Sequence, residues 1–135
     1  MFFNKKKEIT PEERRININE ELNNYGGFIV SNNVIKGRPI RYTFREKPSM
    51  PNLNGWTIYS CDDDQQYVEN PKNFTILGGE SIRKISPVIL EIFDAPYGTD
   101  LCWMYDKKGN FTNFYDLKND KDTTLEEILN RNSIS

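Results

Sequence analysis

The chain has 135 residues, 36% hydrophobic and 13% aromatic, with 18 Lys and Arg against 20 Asp and Glu, a net charge of −2 and no histidine. That length supports one domain around one core and is too short for two. The missing imidazole removes Ser-His-Asp and Cys-His catalysis and HExxH zinc sites, and apolar runs such as Val88-Ile89-Leu90 fall far below the roughly 20 residues that cross a bilayer.

Met1-Phe2-Phe3 precedes Lys5-Lys6-Lys7, the reverse of a secretory signal, so a cytoplasmic protein is expected. Thr10-Pro11-Glu12-Glu13 is a helix start, with Thr10 as N-cap, Pro11 in the first turn and Glu13 closing a capping box. Ile18, Leu22 and Tyr25 then fall on one stripe, and Gly26-Gly27 stop an N-terminal helical extension over residues 1–26.

From Gly27 the period changes to two. Phe28 to Ser31, Arg41 to Glu46 and Trp56 to Ser60 are β-rich segments separated by turn chemistry, and hairpins between neighbours are the expected pairing. Gln65 to Glu69 predicts a short helix closed by Asn70-Pro71, and Phe74 to Leu77 a strand that Gly78-Gly79 ends. Glu80 to Ile85 predicts a helical turn, and Pro87 opens a helix carrying Val88, Ile89, Ile92 and Phe93 inward. Leu101 to Tyr105 and Phe111 to Tyr115 flank Asp106-Lys107-Lys108-Gly109-Asn110 as a hairpin, and Thr124 caps a last helix. Strands and short helices without a βαβ rhythm predict a single α+β domain, a mostly antiparallel sheet with short helices packed on it. Its core spans 27–116, followed by a C-terminal helix and tail over 117–135.

Charge divides along the chain. Residues 25–60 hold five Lys and Arg against Glu46 alone, whereas 61–106 hold nine acids against Lys72, Arg83 and Lys84. The two halves either neutralise each other or leave an acidic surface that attracts a basic protein; an acidic chain is a poor phosphate binder, so nucleic acid is not an expected partner. Asp62-Asp63-Asp64 with Glu69 lacks the glycine and terminal glutamate of a calcium loop, and no phosphate-binding loop accompanies it for magnesium. The least costly reading makes Asp62 or Asp63 the cap of the helix at Gln65 and leaves the other carboxylates facing water. Trp56 and Trp103 read as core, whereas Tyr67 and Tyr97 are candidate interface anchors. Arg45 and Glu46 point to opposite faces of their strand, so one of them is expected to reach an opposite charge across the sheet. Cys61 and Cys102 read as buried thiols.

Tyr42-Thr43-Phe44-Arg45-Glu46-Lys47-Pro48, Gly55-Trp56, the strand to Ser60 and the acids, Tyr67, Asn70-Pro71 and Asp94-Ala95-Pro96-Tyr97-Gly98 occur in order over about residues 28–111. Together they resemble a bacterial family catalogued as a domain of unknown function and as immunity protein 33-like, from polymorphic toxin systems. Cys61 departs from a glycine usual in that family. The resemblance implies a protein that protects its cell by binding a toxin and offers no catalytic set to carry over; no metal and no cofactor are expected. The partner-binding candidates are then Asp62, Asp63, Asp64, Tyr67, Glu69 and Tyr97, and the partner a toxin with a basic surface. The alternative is a non-catalytic regulatory or ligand-binding module; a carboxylate-dependent enzyme is a third.

Overall fold

The computed structural model describes residues 24–134, with side chains as far as Asn130. The helix expected upstream of Gly26 lies outside the described residues as far as position 23. The chain enters β1 (Gly27–Ser31), turns through α1 (Asn32–Ile35) and continues as the hairpin β2 (Ile40–Arg45) and β3 (Leu53–Ser60). α2 (Gln65–Val68) and a 3-10 turn (Pro71–Asn73) lead into β4 (Phe74–Leu77), followed by α3 (Gly79–Ile85) and α4 (Pro87–Glu91). A meander of β5 (Asp100–Tyr105), β6 (Phe111–Asp116) and β7 (Lys121–Thr123) precedes α5 (Leu125–Ile134).

The seven strands form one sheet in the order β4-β1-β3-β2-β5-β6-β7. Every neighbouring pair is antiparallel except β1 with β3, so the domain is α+β with a mostly antiparallel sheet. Hairpins form at β2–β3 and β5–β6 as expected. They do not form between β1 and β2: α1 carries the chain one strand further, and β3 folds back into the gap, parallel to β1. That places Phe28 and Val30, both fully buried, in the interior of the sheet.

Alternation sorts the side chains onto two faces. Phe28, Val30, Thr43, Trp56, Ile58, Leu101, Trp103 and Phe114 point to the inner face, where Ile82, Ile89, Ile92 and Ile128 from α3, α4, α5 and the turn after α4 meet them in one core. Pro87 opens α4 in its first turn, and Ile89 and Ile92 are fully buried while Val88 and Phe93 pack at the margin. The two indoles keep their N–H groups bonded inside this core. Trp103 Nε1 donates to Thr43 Oγ1 at 3.0 Å and Trp56 Nε1 to the Phe93 carbonyl at 3.0 Å, so neither ring buries an unsatisfied donor. Thr124 caps α5 reciprocally: its Oγ1 accepts from Glu127 N while the Glu127 carboxylate accepts from Thr124 N.

The end of the sheet where β2 finishes is tied by Arg45. Its Nε donates to the Asn54 carbonyl at 3.1 Å, and its Nη1 donates to the carbonyls of Phe93 (2.8 Å) and Ala95 (2.9 Å). The guanidinium also lies 4.9 Å from the Phe93 ring centre and 4.8 Å from that of Tyr97. Among the described residues neither Arg45 nor Glu46 forms the expected salt bridge across the sheet; Arg45 reaches backbone carbonyls. Burial pulls its pKa below the usual guanidinium value, opposed by Tyr97 and Asp94. Its backbone closes the same junction, donating to Thr99 O and accepting from Gly98 N. Beside it Gly55, at φ +92°, lets the β2–β3 backbones approach so closely that a Cβ there would stand 2.0 Å from the Glu46 carbonyl oxygen.

Candidate functional site

The three consecutive carboxylates do three different things. β3 ends at Ser60, whose backbone N–H and hydroxyl both donate to Asp63, at 2.8 and 2.7 Å, while Asn33 Nδ2 reaches the same carboxylate at 2.8 Å from α1. Asp63 is thus turned inward and fastens the ends of β1 and β3 together. Burial alone would raise its pKa, but the donors from Ser60, Ser31 and Asn33 outweigh that and hold it below the usual carboxylate range. Asp62 points the other way and forms a surface ion pair with Arg38, 2.5 Å from Nε, which holds its pKa down. Such an exposed pair adds little to stability.

Asp64, not Asp62 or Asp63, caps α2: its side chain accepts from Tyr67 N at 2.8 Å. The extended backbone of Asp64 is the reason, because it follows the tight turn through Cys61 and Asp62 and is the last residue before helical angles begin. Cys61 itself is exposed rather than buried, and Asp120 is the one non-glycine with positive φ among the described residues, so cysteine costs no backbone strain where the family favours glycine. Cys102 is half-buried and is also a free thiol.

Of the two candidate anchors, Tyr67 is half-buried and occupied. Its hydroxyl accepts from Ser31 Oγ and donates to the Asn73 carbonyl, pinning α2 over the end of β1. Tyr97 is 52% exposed, but it belongs to the opposite end of the sheet. The acidic turn is tied to the start of β2 by Cys61 N donating to Pro39 O, and the Tyr97 loop to its end by Gly98 N donating to Arg45 O. Pro39 and Arg45 are six steps apart along the chain, so the two lie about 20 Å apart along the strand. Asp62, Asp63, Asp64, Tyr67 and Glu69 come together; Tyr97 does not join them. Among the described residues no acidic and thiol side chains gather closely enough to hold a metal ion.

What adjoins the acidic turn is the outer face of the sheet. Among the described residues α2 covers one corner of it, and rings run across the strands: Tyr67 to Phe74 (6.0 Å between centres), Phe74 to Tyr59 (5.6 Å) and Tyr59 to Phe44 (5.3 Å). Tyr42 and Ile76, on the same face, are 38% and 53% exposed. A groove of about 310 Å³ lies among Tyr42, Phe44, Tyr59, Asp63, Asp64 and Asp100, and a second of about 380 Å³ continues past Phe44 and Asp100 to Glu46. Burial pushes the Asp100 carboxyl up, and Asp116 and Glu46 push it further. Burial likewise raises Tyr59, with Glu46 and Asp63 adding to it. Sequence reading missed Tyr42, Phe44, Tyr59 and Asp100, although Tyr42-Thr43-Phe44 and Thr57-Ile58-Tyr59 carry the signal: in each, the ring alternates with a residue that is itself buried.

Among the described residues, then, the chain is a small α+β domain with one helix-covered sheet face and one aromatic face bordered by carboxylates. The chain belongs to the family described as immunity protein Imm33 domain, whose family model matches residues 28–115. No curated protein and no solved structure matches it. Among the described residues no helix is long and apolar enough to cross a membrane.

The Asp63 fastening has a measurable pH signature. A carboxyl depressed in the fold contributes stability fully present above its unfolded value, near 3.8, and lost as pH falls through the folded value. Urea midpoints of the wild type should therefore drop steeply below about pH 4. Asp63→Asn should cost about 1–3 kcal/mol at pH 7 and flatten that acid branch. An unchanged branch in the variant would assign the acid sensitivity elsewhere.

Proposed function

We propose that this immunity-family chain is a non-catalytic inhibitor that binds and neutralises a cognate toxin, with its acidic border as the docking region for a basic toxin surface. The observation that carries this reading is the adjacency of exposed Asp64, the N-cap of α2, to the aromatic outer face, with exposed Glu69 at the other end of α2, since charge next to desolvatable rings is the anatomy of a protein interface. Asp62 and Tyr97 remain in the proposed contact region, at the rim and at the far end respectively. Asp63 contributes by holding the turn that displays its neighbours.

A toxin domain of the same polymorphic toxin system provides the test. Asp64→Asn combined with Glu69→Lys keeps a good N-cap on α2 while removing two negative charges from the border and adding one positive charge. The association rate at low salt should fall about tenfold, with much less change in dissociation, and the difference should shrink as salt screens the field. An association rate unaffected by the double variant at low salt would remove the acidic border from the interface.

A further inference from the structure

Asp100 is the outlier on the outer face. It stands at the start of β5, opposite Phe44 of β2, half-buried, and it borders both grooves. Among the described residues its carboxylate has no salt bridge; Lys118 extends its ammonium over Gly98 without pairing to it. Phe44 and Tyr59 form an edge-to-face pair in the groove wall, and Tyr42 stands exposed beside them. Asp64 lines the same groove at the α2 end and Glu46 lines the second groove at the other.

We propose that the groove among Tyr42, Phe44, Tyr59 and Asp100 is a receptor slot for one arginine side chain of the protein partner. This deepens the toxin-binding reading and rests on it for the partner's identity. Arginine fits better than lysine for two reasons. A planar guanidinium stacks on ring faces and also bonds a carboxylate through two parallel N–H groups, whereas an ammonium is a strongly hydrated point charge. The pair formed at Asp100 would be partly desolvated and flanked by rings, which is the setting of an interface hot spot. The strain on the unliganded carboxylate is then relieved on binding: its raised pKa means that the ionised form is disfavoured in the free fold, a penalty complete above the folded pKa and removed as pH falls through it.

The test uses the intact chain with two probes, a toxin domain of the same polymorphic toxin system and N-acetyl-arginine amide. Asp100→Asn should raise the urea midpoint at pH 7, which shows the variant folded, yet weaken toxin binding at least tenfold. The arginine amide should shift the NMR signals of Tyr42, Phe44, Tyr59 and Asp100 at millimolar concentration, more strongly than N-acetyl-lysine amide, and less in Asp100→Asn. Toxin affinity within twofold of wild type in Asp100→Asn overturns the slot while leaving the immunity reading intact. If the toxin is not bound at all, the immunity reading falls, and the arginine amide decides the slot alone: local shifts support it, and shifts elsewhere, none, or stronger ones with the lysine probe overturn it.

Discussion

Gly55→Ala is expected to lose at least about 3 kcal/mol of stability, a large share of the 5–15 kcal/mol that holds a domain together. The backbone at φ +92° excludes an ordinary side chain, and a Cβ would stand 2.0 Å from the Glu46 carbonyl oxygen. Relief requires the β2–β3 strands to separate, and with them goes the Glu46 N–H bond to Gly55 O, 3.0 Å long. Neighbouring Trp56, fully buried and bonded through its indole to Phe93, would be displaced with the strand. Thermal or urea denaturation checks this directly. Gly78→Ala is the control, since a Cβ there meets nothing within 4 Å and should cost no more than about 1 kcal/mol. Equal effects at the two glycines would show that the hairpin relaxes without loss.

Arg45→Lys, conservative in charge, is expected to cost about 2 kcal/mol, and Arg45→Ala about 3–4 kcal/mol. A guanidinium satisfies the carbonyls of Asn54, Phe93 and Ala95 at once while lying on the rings of Phe93 and Tyr97. A lysine delivers one ammonium and cannot span all three, so half-buried acceptors lose their donors. Denaturation midpoints measure the loss. Near-ultraviolet circular dichroism should change as well, because Trp56, 5.9 Å from the guanidinium, reports the packing of this junction. A lysine variant as stable as the wild type would mean that charge alone, and not the geometry of the donor fork, holds the Tyr97 loop.

These two residues explain much of the resemblance that marks the family. Arg45, Gly55, Trp56 and the Asp94-Ala95-Pro96-Tyr97-Gly98 loop are far apart in the chain and meet at one end of the sheet. The recognisable residues there are structural, joining the β2–β3 hairpin to the loop before β5. The proposed binding surface lies across the outer face, on Tyr42, Phe44 and Tyr59, and at the α2 corner.

The acidic run shows why reading stops short of geometry. Asp62, Asp63 and Asp64 are chemically identical, and the chain direction alone cannot say which one meets Ser60 and Asn33, which one Arg38, and which one the N-terminus of α2. Asn33 and Arg38 lie 30 and 24 positions away from their partners. The parallel β1–β3 pair was likewise unreadable, because the local signals around Asn32-Asn33 mark a turn and do not say which strand lies beyond it.

The sequence by itself determined the α+β class, the hairpins at β2–β3 and β5–β6, the capped C-terminal helix and the chemistry excluded by having no histidine. All of these rest on short-range rules: side-chain period, turn residues and capping groups act within a few positions of each other. The tertiary structure alone decided which carboxylate is fastened inward, that Tyr97 stands a strand's length from the acidic turn, and that Tyr42, Phe44 and Tyr59 share the outer face with Asp100. Period two assigns alternate residues to opposite faces, but only packing of the helices against one of those faces makes it the core.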